Sequence, residues 1–125
     1  MSGVFNHEGG GGNIGRALAL RVARMSGPVA VVDIDGAAAG ATAGLVEAAG
    51  CRALAVRADV SSPTETAAYV GAVEAQLGPI GIFANNAGIE GVVAPLPEYP
   101  DEVFDRLFQV NVKGVFLGLK YVLAK

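Results

Sequence analysis

The chain has 125 residues, 9 Lys and Arg against 12 Asp and Glu for a net charge of −3, and 52% hydrophobic residues. That length suits a single domain, residues 1–125, with a modest core. The scattered cations give no basic face for nucleic acid, and no run approaches the roughly 20 apolar residues of a membrane span, so neither is an expected partner. A phosphate-bearing ligand would therefore have to be held by backbone amides and a helix dipole. Nothing at the N-terminus reads as a signal peptide, and Cys51, the single cysteine, excludes an internal disulfide. Both point to a cytoplasmic protein, with Cys51 as a small core residue.

A first strand is expected at residues 3–8, where Asn6, His7 and Glu8 interrupt the apolar run that a buried parallel strand uses. With no second His in the chain, His7 is read as solvated, and no metal site is expected. Gly9 to Gly15 follows, reading Gly-Gly-Gly-Gly-Asn-Ile-Gly, and Gly10 to Gly15 fit G-x-G-x-x-G. Without a Cβ the backbone can turn sharply and bring its N–H groups to a pyrophosphate. Four consecutive glycines equally fit a flexible linker, so the weight falls on what comes after. A helix is expected at once, with Ile14, Leu18, Val22 and Met25 as its apolar stripe and Ser26-Gly27-Pro28 as its stop.

Val29 to Asp33 is a continuous apolar run closed by an acid, as in a strand buried on both faces. Asp35 to Ala49 predicts an Ala-rich helix stopped at Gly50, although Gly40 and Gly44 each cost about 1 kcal/mol relative to Ala. Arg52 to Val56 predicts a third strand, followed by Ala58-Asp59-Val60. Ser62-Pro63-Thr64-Glu65 reads as a capping box with Pro at the first helical position. Val70, Val73 and Leu77 form that helix's inner face. Gly78-Pro79 ends it, Ile80 to Ala84 makes a fourth strand, and Asn85-Asn86-Ala87-Gly88 closes it. Residues 89–100, with three prolines, read as a loop, after which Asp101 caps a long helix whose apolar positions are Phe104, Phe108, Val115, Leu119 and Val122. Strands alternating with helices at this spacing predict β-α-β units, an α/β fold with a Rossmann-like, doubly wound parallel sheet of about four strands.

In an open parallel sheet the ligand lies outside the carboxyl ends of the strands. The residues that finish the strands here are the glycine turn, Asp33, Asp59 and Asn85 to Gly88. Asp33 stands 18 residues after Gly15, close to the spacing of about 20 at which an acid accepts bonds from both hydroxyls of an adenine ribose. A carboxylate there repels a 2′-phosphate, which argues for NAD over NADP; the blander reading has Asp33 merely capping the next turn beside Asp35. Asn111 is a polar side chain on an apolar stripe and needs partners if buried. It either ties the helix to the sheet or holds a water in a catalytic relay.

These residues resemble the short-chain dehydrogenase/reductase family, whose members move hydride between a nicotinamide cofactor and a hydroxyl or carbonyl carbon. The resemblance spans essentially the whole chain. It rests on Gly9, Gly12 and Gly15, on Asp33, on Asp59-Val60, on Asn85-Asn86-Ala87-Gly88 as the most specific motif, and on Asn111-Val112-Lys113-Gly114. It implies that Gly9, Gly12, Asn13, Ile14 and Gly15 face the pyrophosphate, that Asp33 holds the adenosine ribose of NAD, and that Ile34 packs near adenine. It further implies that Asp59 and Val60 contact the adenine edge, that Asn85, Ala87 and Gly88 support the other ribose, and that Asn111 is the catalytic-relay asparagine.

Three departures from the family pattern stand out. Glu8 occupies the place of a Thr, where a carboxylate near the pyrophosphate opposes binding. Asn13 replaces a Gly before Ile14, a mild change because Asn tolerates left-handed backbone. The family's catalytic Ser and Tyr-x-x-x-Lys are expected beyond Lys125, so the resemblance implies an N-terminal, cofactor-binding half. Tyr121 to Lys125 does read Tyr-x-x-x-Lys, but Tyr121 lies ten residues past Asn111 on one predicted helix, about 15 Å along its axis. Tyr121 and Lys125 are therefore read as ordinary helix residues. Two function classes follow: an NAD-linked oxidoreductase acting on a small alcohol or ketone, or an inactive nucleotide-binding or interaction remnant. The unpaired sheet edge and the helix over 102–125 predict a homo-oligomer.

Overall fold

The computed structural model describes the backbone of residues 4–124, with side chains from residue 9 onward except that of Ser26. Four parallel strands, β1 (Val4–Glu8), β2 (Val29–Asp33), β3 (Ala53–Arg57) and β4 (Ile80–Asn85), pair in the order β3-β2-β1-β4. Between them run α1 (Asn13–Ser26), α2 (Gly36–Ala48) and α3 (Pro63–Leu77). After β4 come a 3₁₀ turn (Leu96–Glu98), α4 (Asp101–Phe108), a π-helical segment (Gln109–Gly114) and α5 (Val115–Val122). The sheet thus grows outward from β1 to β3 and then resumes on the other side of β1, which creates a switch point between β1 and β4 where a crevice opens.

The alternation along β2 assigns the helices to faces. Val29 and Val31, fully buried, pack with Ala19 and Ala23 of α1 and with Ala39, Ala43 and Val46 of α2. Ala30 and Val32 pack on the opposite side with Tyr69, Val70 and Val73 of α3, and Tyr121 and Val122 of α5 lie against the same cluster. Such two-sided burial explains why β2 reads as an unbroken apolar run.

Several expectations change on this architecture. The polar residues 6–8 do not interrupt β1, whose backbone pairs along its length with β2 and β4, for example Asn6 with Ala30 and with Phe83. Ladder bonds come from the main chain and are indifferent to side-chain polarity; the side chains of Asn6, His7 and Glu8 lie outside the described residues. On α1 the buried residues are Gly15, Ala19 and Ala23, whereas Ile14 and Met25 are 73% and 69% exposed. Helix α1 lies close to the sheet, and small residues at i, i+4 and i+8 permit that approach.

The capping box at α3 is half formed. Ser62 Oγ accepts from the Glu65 amide, but the Glu65 carboxylate turns away to Arg57 and to the Asp59 amide. At α4 the N-cap is Pro100 and Asp101 makes no side-chain cap, so Asp101 and Glu102 act only through the helix dipole. The π segment then interrupts the helical register, and the residues that face the protein become Val110, Gly114, Leu117 and Gly118. Of the predicted stripe only Val115 and Val122 are partly buried; Phe104, Phe108 and Leu119 face outward. Gly118 lets α5 sit on β4, because a Cβ there would come within 2.8 Å of the Phe83 ring.

Candidate functional site

The glycine turn leaves β1 through Gly9, whose φ of 69° lies in the left-handed region that favours glycine. Gly10 N donates to Val32 O at 3.1 Å and Gly12 N to Gly9 O at 3.3 Å, so the turn folds back over the end of β2. Asn13 then opens α1 with no side-chain cap on Gly12 and no acid in the first turn. Amides of such an uncapped first turn are oriented for an anion. Asn13 needs no left-handed tolerance, since no described residue other than glycine has a positive φ.

Two glycines fix the geometry by what a side chain would meet. A Cβ on Gly9 would lie 3.0 Å from Ala87 Cα, and one on Gly11 would lie 2.5 Å from Ala38 Cβ and 3.0 Å from Asp33 Oδ2. Gly11 N in turn donates to Asp33 Oδ2 at 2.9 Å, while Asp35 N donates to Oδ1 at 2.9 Å. Asp33 therefore does close the turn beside Asp35, and it is also held against the glycine turn. Each carboxylate oxygen still retains a lone pair. Asp35 is left to cap α2 through the Ala37 and Ala38 amides.

A cleft of about 540 Å³ runs along these strand ends. Its lining includes Gly9, Gly12, Asn13, Ile14, Gly15, Asp33, Ile34, Asp59, Val60, Ala87 and Gly88, and adds Ala58, Asn86, Ile89, Arg106 and Val110. Ile14 and Ile34 expose 73% and 52% of their surface, apolar area suited to a flat ring.

Two residues singled out in the sequence do not line the cleft. Asn85 points into the fold, donating from Nδ2 to Val115 O at 2.8 Å, and leaves its buried Oδ1 without a partner. Asn86, the next residue, lines the cleft in its place. Asn111 spends both ends of its amide on Ile89: Oδ1 accepts from Ile89 N and Nδ2 donates to Ile89 O, each at 2.9 Å. It sits within the π segment and holds Ile89, a residue of the cleft wall. Tyr121 packs against the α3 cluster, away from the cleft lining; Lys125 lies outside the described residues.

Arg106 is the residue that sequence reasoning missed. From α4 it reaches Asp59 Oδ2 at 3.4 Å and Ser61 Oγ at 3.2 Å. Ser61 also gives Asp59 Oδ1 two bonds, from Oγ at 2.6 Å and from N at 2.9 Å. Burial by itself pushes the Asp59 carboxyl up, but the Ser61 bonds and the Arg106 charge together outweigh it and hold the group below its ordinary 3.8. A cation five residues before Asn111 was visible in the sequence. Its pairing with Asp59, 47 residues away, was not.

Among the described residues no group of His, Cys, Asp or Glu is arranged to hold a metal ion, and no helix is long and apolar enough to cross a membrane. The residues present fit a dinucleotide: a cradle that a Cβ would fill, an uncapped helix start, a carboxylate beside it, and exposed isoleucines along the cleft.

The profile described as short chain dehydrogenase matches residues 8–125. Levodione reductase of Leifsonia aquatica is 40% identical over 117 residues, 92% of this chain and 44% of its own length. The crystal structure of NAD+-bound xylitol dehydrogenase superposes with a TM-score of 0.93 at 36% identity, covering 96% of this chain and 46% of that one. The 3-ketoacyl-(acyl-carrier-protein) reductase from Brucella melitensis, complexed with NADH, superposes with a TM-score of 0.90 at 35% identity, covering 98% and 49%. The chain spans about half the length of the curated relatives it matches. It belongs to the short-chain dehydrogenase/reductase family.

Proposed function

We propose that the cleft binds NAD and that these residues form the cofactor site of an oxidoreductase acting on a small alcohol or ketone. The observation that carries this reading is the junction of the uncapped α1 start with Asp33 at the bond from Gly11 N to Oδ2. That junction supports the reading of an anion site beside a ribose acceptor in one cleft. Bound there, the cofactor would supply a hydride acceptor or donor. The chain's own residues hold it: the first-turn amides of α1 take the pyrophosphate, Asp33 accepts from the adenosine ribose hydroxyls, and Ile34, Asp59 and Val60 border the base. Asn86, Ala87 and Gly88 flank the second ribose. Asn111 acts on the site through Ile89, as a positioning residue for the wall.

Asp33 favours NAD over NADP because a 2′-phosphate would meet a carboxylate, and like charges brought together cost several kcal/mol when partly desolvated. We further propose self-association through the outer face of the 101–122 helix. Phe104, Phe108, Val112, Phe116 and Leu119 all expose 44% or more of their surface there, at spacings of three or four residues. Amide hydrogen exchange tests the cofactor reading. Saturating NAD is expected to slow exchange at 9–15 and 33–35 and to leave the C-terminal turn of α3 unchanged; unaltered exchange at both cleft segments would refute it.

A further inference from the structure

Arg57 ends β3 directly across from Asp33, its register partner on β2, and neighbouring strands lie only about 4.8 Å apart. The first part of its side chain runs beneath the first turn of α2, because a Cβ on Gly36 would lie 3.2 Å from Arg57 Cβ and 3.4 Å from Cγ. That path starts beside Asp33, which lines the cleft, and passes Gly36. The guanidinium does not remain there. Its NH1 donates to Glu65 Oε2 on α3 at 2.9 Å, and the same oxygen accepts from the Asp59 amide at 3.0 Å. Neither Arg57 nor Glu65 lines the cleft. Both side chains are well exposed, 57% and 40%, and an exposed ion pair is readily exchanged for a better partner. A phosphate monoester is such a partner for a guanidinium, which can meet it with two parallel bonds.

We propose that Glu65 is a positioning residue that sets cofactor choice by holding Arg57 away from the ribose corner. With Glu65 in place the corner offers a 2′-substituent only the Asp33 carboxylate. Without it Arg57 swings back over Gly36 and pairs with a 2′-phosphate. The inference rests on the cofactor reading above and deepens it, since it assigns part of the selectivity to a residue outside the cleft.

The test is calorimetric titration of the full chain with ADP-ribose and with 2′-phospho-ADP-ribose, in wild type, Glu65→Gln, Arg57→Met and the double variant. Wild type is expected to prefer ADP-ribose, and Arg57→Met to leave that preference unchanged because Arg57 is withheld. Glu65→Gln is expected to lower the preference about three- to fivefold, the worth of an exposed ion pair, and the double variant to restore it to within about twofold of wild type. Loss of the Asp59 amide bond alone would weaken both ligands alike and leave the ratio untouched. An unchanged ratio in Glu65→Gln overturns the proposal, as does a gain that survives in the double variant or an equal effect of Arg57→Met in both backgrounds. A folded wild-type chain that binds neither ligand overturns the cofactor reading and this inference with it. One that binds ADP-ribose but ignores Glu65→Gln overturns the inference alone.

Discussion

The glycine turn with the corner it meets at Asp33, and the helix from Asp101 to Val122, shape the same cleft by different means. At the turn the determinants are local: a positive φ at Gly9, close approaches at Gly9 and Gly11, an uncapped helix start, and a carboxylate held by two amides. Each can be argued from residue type and spacing. Along the helix they are distant, because Arg106 answers Asp59 and Asn111 answers Ile89, while a π segment shifts which residues face the sheet. Backbone-dictated geometry is written in the chain near where it acts. Register-dictated geometry is settled by the partner.

The sharpest way to break this contrast is at the turn. Gly11→Val would drive a side chain into Ala38 and Asp33. It is expected to destabilise the fold by about 1 to 3 kcal/mol, the usual cost of overpacking, and to abolish NAD binding in calorimetry. Binding within about twofold of wild type, far less than the tenfold that 1.4 kcal/mol represents, would show the turn to be more plastic than its contacts imply. The helix side is probed by Asn111→Ala, which removes both side-chain bonds to the Ile89 backbone. A loss of about 1 to 2 kcal/mol in denaturant unfolding is expected, with faster proteolysis of the 89–100 loop, while Asp33-dependent selectivity stays as it was.

Asp59 gives a smaller effect with a defined sign. Its folded-state pKa lies below the ordinary 3.8, so its ionised form stabilises the fold above that pH, and the contribution fades as pH falls through the lowered value. Asp59→Asn should therefore lower stability at pH 7 and converge with wild type in acid, which acid-limb unfolding curves would reveal. The smallest effect is expected from Phe108→Lys on the outward face, within about 0.5 kcal/mol on the stability of the separate chain. Light scattering at tens of micromolar should nevertheless show less association than in wild type.

The strands, the three crossover helices and most of the cleft lining could be read from the sequence, because apolar runs, caps and glycines act within a few residues of where they stand. Residues 6–8 broke the apolar run but not the expected strand, because periodicity judges side chains, whereas a central parallel strand is held by its backbone. Of the stripe Ile14, Leu18, Val22, Met25, Leu18 and Val22 do pack against the core while Ile14 and Met25 face outward, since the close approach to the sheet is centred on Gly15, Ala19 and Ala23. Asn85 and Asn86 are adjacent and chemically identical, so only the direction in which β4 ends distinguishes the one that ties down α5 from the one that meets the cleft. Arg106 had no local signal, and its role appears only once α4 is laid beside the end of β3.

The central claim is that this cleft is a cofactor site whose selectivity begins at Asp33. Titrating the chain with NAD and NADP, in wild type and in Asp33→Ala, tests it most directly. The account predicts that wild type binds NAD more tightly and that Asp33→Ala lowers the preference about tenfold or more, the scale of one lost like-charge contact. A folded chain that binds neither cofactor, or one whose preference is the same with and without the Asp33 carboxylate, would contradict it.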